Sequence, residues 1–185
     1  MNDLLAKTKA RLSELGIEPK RSLGQNFLIS ESAVARIVEA VESLQPRHLI
    51  EIGPGLGALT DGLKGLGKPL VIIELDREMA EFWRRQGHQV IEDDALKVNW
   101  NRLPVVAPAV LVSNLPYQIS THLAVDRSLE AGPIEAMVLM FQKEVEYLLY
   151  MGCLQVMAEF PWVMDHKLMV QFMPTVLFWV EIMRQ

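Results

Sequence analysis

Short apolar runs alternate with helix-length segments through the middle of this chain, and this alternation restricts its fold more than any other feature. Five such runs occupy residues 48–52, 70–75, 89–91, 109–112 and 136–141. Strands that alternate with helices are typical of a parallel sheet covered by helices on both faces. We therefore expect an α/β fold.

The two ends of the chain have different patterns. Residues 3–15 predict a short amphipathic surface helix, and Ser30 can cap a second helix that ends near Leu44. The β-rich runs 166–172 and 176–182 are separated by only three residues, which predicts a terminal antiparallel hairpin. We expect one domain over residues 1–185, with a helical extension (1–45) and a core (46–185) built on a mostly parallel seven-stranded sheet.

Composition limits the function. The formal net charge is −5, and phosphate affinity comes mainly from clustered Lys and Arg, so any surface for nucleic acid must be local or missing.

Cys153 is the single cysteine, and the first thirty residues lack an apolar leader core, which favours the cytoplasm. No apolar run is long enough to cross a membrane. The four histidines show no metal-ligand spacing, so we expect no metal.

A glycine-rich turn follows the first predicted strand. Gly53, Gly55 and Gly57 precede a helix that starts near Ala58. Glycines let the backbone approach a ligand closely, and free amides at a helix start attract an anionic or polar group. The same spacing also fits the relaxed dinucleotide fingerprint of dehydrogenases, and a purely structural turn.

Acidic residues follow the next two strands. Glu74 lies about twenty residues beyond the glycines, where a carboxylate can accept both hydroxyl hydrogens of a ribose. Asp94 follows the third strand and could accept from an adenine amino group, although adjacent acids in a loop are often only solvated. An adenosine-containing cofactor would fit both positions.

The fourth strand leads into Asn114, Leu115, Pro116 and Tyr117. An exocyclic amine on a base is a poor nucleophile because its lone pair is delocalised into the ring. The Asn114 side-chain oxygen and a neighbouring backbone carbonyl can accept its hydrogens and direct the lone pair at a methyl sulfonium. Pro116 stiffens the turn, and Tyr117 offers a ring on which a base can stack.

With these motifs the sequence resembles the ribosomal RNA adenine dimethylases of the KsgA type. The resemblance runs from about Ser22 to Val145. It rests on six segments in family order: 23–28, 51–57, 74–76, 94–95, 114–121 and 141–145.

The resemblance implies a Rossmann-like class I methyltransferase that uses S-adenosyl-L-methionine. It implies that Asn26 and Leu28 border the cofactor, that Gly53 approaches its methionine portion, and that Asp94 with Ala95 contacts its adenine. Asn114 would lie between cofactor and target base. The implied partner is ribosomal RNA in the immature small subunit, and we expect a monomer.

The region after Val145 departs from the family pattern, because the joining loop at residues 172–176 is short, and we expect the family's C-terminal helical domain to be absent from this form. We therefore expect cofactor binding with weak or no rRNA methylation by this form. Two alternatives remain beside the small-subunit dimethylase: a ribosome assembly factor without turnover, and a large-subunit rRNA methylase, which shares most of the motifs. A nicotinamide dehydrogenase would not explain the residues from Asn114 to Tyr117.

Overall fold

A computed structural model describes residues 3–16, 27–115, 119, 122–124, 126–127, 132–140, 167–172 and 178–183. The described helices are α1 (Asp3–Leu15), α2 (Glu31–Ser43), α3 (Ala58–Lys64) and α4 (Arg77–Arg85), with a 3-10 turn at Trp100–Arg102. The strands are β1 (His48–Ile52), β2 (Leu70–Glu74), β3 (Gln89–Glu92), β4 (Ala109–Asn114), β5 (Ile134–Met140), β6 (Lys167–Phe172) and β7 (Phe178–Met183).

The seven strands form one sheet in the order β3-β2-β1-β4-β5-β7-β6. The first five strands in this order pair in parallel, whereas β7 pairs antiparallel with both β5 and β6. The predicted α/β fold, with a mostly parallel sheet and a terminal antiparallel hairpin, is therefore confirmed.

Both faces of the parallel strands β1, β2, β4 and β5 are mostly buried, which explains their continuous apolar runs, whereas the edge strand β3 is only partly buried. Successive side chains of a strand point to opposite faces. Ile50 and Leu111 thus pack in one cluster with Trp100 and Leu123. Leu49 lies on the other face, in a cluster to which α2 and α3 also contribute: Ile37, Val41, Leu59 and Leu63. The sheet is thus held from both sides.

The helix starts follow from local hydrogen bonding. Ser30 has an extended backbone, and its hydroxyl accepts from the Ala33 amide, so the predicted cap of α2 is confirmed. Asp76 caps α4 by accepting from the amides of Glu78 and Met79. These side chains satisfy amides that have no partner within the helix.

Replacing Ser30 with Ala should lower the free energy of unfolding by about 1 kcal/mol, because an N-cap hydroxyl is lost. Ser43→Ala is the matched control, since Ser43 lies exposed at the other end of the same helix and donates only to the Ala40 carbonyl. Urea denaturation of both variants measures the difference. Equal stability of the two variants would contradict the assigned cap.

Candidate functional site

The carboxyl ends of β2, β1 and β4 lie side by side. Ile52 of β1 pairs with Ile73 on one side and with Ser113 on the other. The next residues along the three strands are therefore Glu74, Gly53 and Asn114, in that order across the sheet. Neighbouring strands are about 4.8 Å apart, so the Cα atoms of Glu74 and Asn114 are about 10 Å apart with Gly53 between them.

Two hydrogen bonds fix the strand ends that carry this row of Glu74, Gly53 and Asn114. The Gly53 amide donates to the Ile73 carbonyl at 2.9 Å. The buried Ser113 hydroxyl donates to the Ile52 carbonyl at 2.6 Å. The end of β1 is thus tied to both neighbouring strands immediately before the glycine turn.

The turn from Gly53 to Gly57 depends on left-handed backbone conformations. Gly53, Gly55 and Gly57 have φ angles of 59°, 51° and 84°. Gly53 is exposed, and a Cβ added there would meet no atom within 4 Å, so there is open space for a ligand. At Gly55 an added Cβ would lie 3.2 Å from the ring of Phe27, which covers that part of the turn.

Glu74 is buried beside this turn. Its Oε1 accepts from the Asp76 amide at 2.8 Å, and the amides of Leu75 and Gly55 also interact with the carboxyl. Burial nevertheless raises the pKa of Glu74 to about 7, and the neighbouring Asp76 carboxylate adds to the shift. The structure therefore brings Glu74 and the glycine turn together, as the sequence predicts.

Glu51 is a second buried carboxyl that sequence reasoning missed. It is 1% exposed, and its Oε2 has no hydrogen-bond partner among the described residues. Burial raises the pKa of Glu51 to about 8, with contributions from the Asp61 and Glu74 carboxylates, and the adjacent Thr60 opposes the shift. A charged residue within an otherwise apolar strand was the available signal.

The loop after β3 brings Asp94 to the same edge, since the Asp93 amide donates to the Glu74 carbonyl at 3.2 Å. The Asp94 carboxylate accepts from the Leu96 amide at 3.0 Å and forms an ion pair with Lys97 at 3.4 Å. Ala95 is buried, and its carbonyl accepts from the indole of Trp100. The loop thus has a defined conformation.

Two large apolar side chains are exposed beside these acids. Leu75 follows Glu74 and is 57% exposed, and Leu96 lies close after Asp94 and is 43% exposed. They are the second feature that sequence reasoning missed, because an isolated leucine gives no sign in the sequence that it is exposed. They form an apolar border to the polar groups of this edge.

Asn114 is the last residue of β4 and is half-buried. Leu115 is buried, and its amide donates to the Met140 carbonyl at 3.2 Å. Pro116 and Tyr117, the other two residues of the predicted catalytic turn, lie outside the described residues, and so does Asn26.

Leu28 is described, and its half-buried side chain packs against the apolar cluster of α2 and α3. Within the described ranges, no group of three or more potential metal ligands occurs. None of the described helices is long and apolar enough to span a membrane.

The described fold is that of the Rossmann-like class I methyltransferases, and solved structures resemble it. A 23S rRNA methyltransferase, ErmE, is 32% identical with a TM-score of 0.55, over 64% of this chain and 49% of that chain. A dimethyladenosine transferase from Plasmodium falciparum is 28% identical with a TM-score of 0.51, over 64% of this chain and 44% of that chain.

The chain belongs to the ribosomal RNA adenine dimethylase family, whose sequence profile matches residues 17–150. The ribosomal RNA small subunit methyltransferase A of Bdellovibrio bacteriovorus is 52% identical over 131 residues, which are 71% of this chain and 48% of that protein. The chain spans about half the length of the curated relatives it matches.

The buried carboxyls predict a pH-dependent stability. Because the pKa of Glu51 is raised from 4.5 to about 8, the folded protein keeps a proton that the unfolded chain releases between these values. The free energy of unfolding should therefore fall as the pH rises through this range, at about 1.4 kcal/mol per unit of pKa difference.

Glu51→Gln should remove a large part of this fall and should stabilise the protein at pH 8, because its side chain is neutral at every pH. Urea unfolding at pH 5, 6.5 and 8 measures the dependence. Glu39→Gln, which removes an exposed carboxyl of α2, is the control and should behave as wild type. An unchanged pH dependence in Glu51→Gln would contradict the assignment.

Proposed function

We propose that this chain uses S-adenosyl-L-methionine to methylate the exocyclic amino group of adenines in small-subunit ribosomal RNA. The observation that carries the proposal is the row of Glu74, Gly53 and Asn114 at one edge of the sheet. A ribose-binding acid, an open glycine turn and an amine-orienting amide are the groups that this reaction needs next to one another.

The described residues fit the cofactor. The exposed backbone at Gly53 leaves space for the methionine portion. Glu74 can accept from the ribose hydroxyls, as its position about twenty residues after the glycines suggests. Asp94 can accept from the adenine amino group, and the exposed side chains of Leu75 and Leu96 provide apolar surface near these acids that can contact the ring. By family resemblance, Asn26, Leu28, Gly55 and Ala95 complete the site.

Asn114 is proposed to orient the target amine. When bound, the cofactor supplies an electrophilic methyl group on a sulfonium. The Asn114 side-chain oxygen and a backbone carbonyl of the segment Leu115–Pro116 accept the two amine hydrogens, so the nitrogen lone pair faces that methyl. These two acceptors would hold the nitrogen in line with the methyl group that the cofactor would supply, and the proton released from the amine would pass to water.

Tyr117 is proposed to stack on the target base once it has left the RNA helix. Pro116 lacks an amide hydrogen and limits the movement of the turn. Catalysis on this arrangement comes from positioning, so it needs no general base with a shifted pKa.

The small subunit is favoured over the large one by the relatives. The Bdellovibrio protein is a small-subunit methyltransferase at 52% identity, whereas ErmE, a 23S rRNA methyltransferase, is 32% identical. We extend the proposal to immature small subunits as the substrate, to a cytoplasmic location and to a monomeric protein.

Cofactor binding is tested with Glu74. Calorimetry should show binding of S-adenosyl-L-methionine and none of NAD. Glu74→Gln should weaken the binding about tenfold to a hundredfold, because charged hydrogen bonds to the ribose are lost. Glu92→Gln is the matched control, since Glu92 occupies the register position next to Glu74 on the neighbouring edge strand β3. Binding of NAD, or full affinity in Glu74→Gln, would contradict the proposed site.

Methyl transfer is tested with Asn114. Radiolabelled cofactor is incubated with immature small subunits and, separately, with 23S rRNA, and modified adenines are mapped. The transfer expected of the wild-type chain is weak, and Asn114→Ala should abolish it while calorimetry still detects the cofactor. Equal transfer by wild type and variant would exclude the proposed role, and docking on subunits without transfer would favour an assembly factor.

A further inference from the structure

Trp83 of α4 lies directly behind the glycine turn. It is fully buried, and its Nε1 donates to the Gly55 carbonyl at 3.0 Å. A Cβ added at Gly57 would lie 2.4 Å from the Trp83 ring, so the turn is pressed against the indole with no room for a side chain. The indole therefore fixes both the direction of one carbonyl and the position of the backbone two residues later.

Arg11 of α1 reaches the same turn from another side. Its Nη1 donates to the Leu56 carbonyl, and its Nη2 pairs with the Asp61 carboxylate of α3 at 2.8 Å. The guanidinium lies 5.8 Å from the centroid of the Trp83 ring, in the range of a cation–π contact. Two residues far apart in sequence thus hold the carbonyls of the consecutive residues Gly55 and Leu56.

Holding these carbonyls also fixes the amides that follow them. A trans peptide is planar, so the N–H of the next residue points opposite to the C=O. With Gly55 and Leu56 carbonyls directed at Trp83 and Arg11, the amides of Leu56 and Gly57 have set directions. The Gly57 amide also donates to the Pro54 carbonyl at 2.9 Å, and the Gly55 amide interacts with the Glu74 carboxyl. Trp83 and Arg11 add to these restraints on a segment with three glycines, whose remaining freedom would otherwise be lost only on binding a ligand.

We propose that Trp83 and Arg11 are positioning residues that keep the glycine turn in its cofactor-binding conformation and thereby set the affinity for the cofactor. The inference rests on the proposed function, because it concerns the same cofactor site. A Cβ added at Gly53 would meet neither residue within 4 Å, so both lie away from the open side of the turn, where the cofactor is proposed to bind. Their effect is preorganisation, in which the ordering of the turn is completed before the ligand arrives.

The test uses Trp83→Phe, which keeps an aromatic ring and removes the Nε1 donor. Calorimetry with S-adenosylhomocysteine should show about tenfold weaker binding than wild type, as expected for one lost hydrogen bond and a loosened turn. Hydrogen–deuterium exchange should rise at the amides of residues 55–57 and remain unchanged in β1 and β4. A merely structural role would lower stability without this local change.

Phe82→Leu is the matched control. Phe82 is the neighbouring residue of α4 and belongs to the same buried cluster as Trp83, but no hydrogen bond joins its side chain to the turn. It should lower the melting temperature and keep the affinity for S-adenosylhomocysteine within about twofold of wild type.

Arg11→Met is the second variant and removes the other contact while keeping a long side chain. We expect about fivefold weaker binding, because the Leu56 carbonyl and the Asp61 carboxylate lose their partner. Arg85→Met is its control, since Arg85 is exposed and pairs only with Glu81 on the same helix among the described residues. If Trp83→Phe does not fold, Arg11→Met carries the test.

If Trp83→Phe folds and binds S-adenosylhomocysteine as tightly as wild type, the inference is wrong. If Trp83→Phe does not fold, wild-type affinity in Arg11→Met would overturn it. That result leaves the proposed function intact, because the wild-type chain would still bind. Failure of the wild-type chain to bind S-adenosylhomocysteine would instead contradict the proposed function and, with it, this inference.

Discussion

The in-register pairing of β1 with β2 and β4 is the constraint on which the candidate site depends. β1 is the strand from which the chain moves outward to β2 and β3 before it returns on the opposite side to β4. Such a reversal leaves a crevice at the carboxyl ends of the strands, where α/β proteins bind their ligands. A shift of one residue in either pairing would send each side chain to the opposite face and would separate Glu74 from Asn114.

Much of this arrangement can be predicted from the sequence, because apolar runs in a parallel sheet are buried on both faces. The bounds of β1 agree with the predicted 48–52. β4 extends to Asn114 rather than ending at Val112. The reason is that Ser113 satisfies its hydroxyl on the Ile52 carbonyl, so a polar residue can remain within a buried strand. Such a hydrogen bond joins residues 61 positions apart, so the local sequence pattern does not predict it.

Site residues that lie at a fixed sequence distance from a motif can be predicted from the sequence. Residues whose contacts depend on how the helices and strands pack cannot. Glu74 and Asp94 follow from their positions after the glycines. Trp83 is buried, but its hydrogen bond to Gly55 depends on how α4 packs against β2. The sequence predicts that Arg11 belongs to an amphipathic surface helix, whereas its contacts with Leu56 and Asp61 exist only after α1 folds back on the turn.

The electrostatics of this edge explain why local folding rules fail there. Glu51 and Glu74 are both buried near Asp61 and Asp76, and burial without a matching cation is unfavourable for a carboxylate. A sequence optimised for stability alone would place apolar side chains there, so such exceptions indicate function. In the proposed function the cofactor carries a sulfonium and an ammonium group, and a bound cation favours ionised carboxyls nearby.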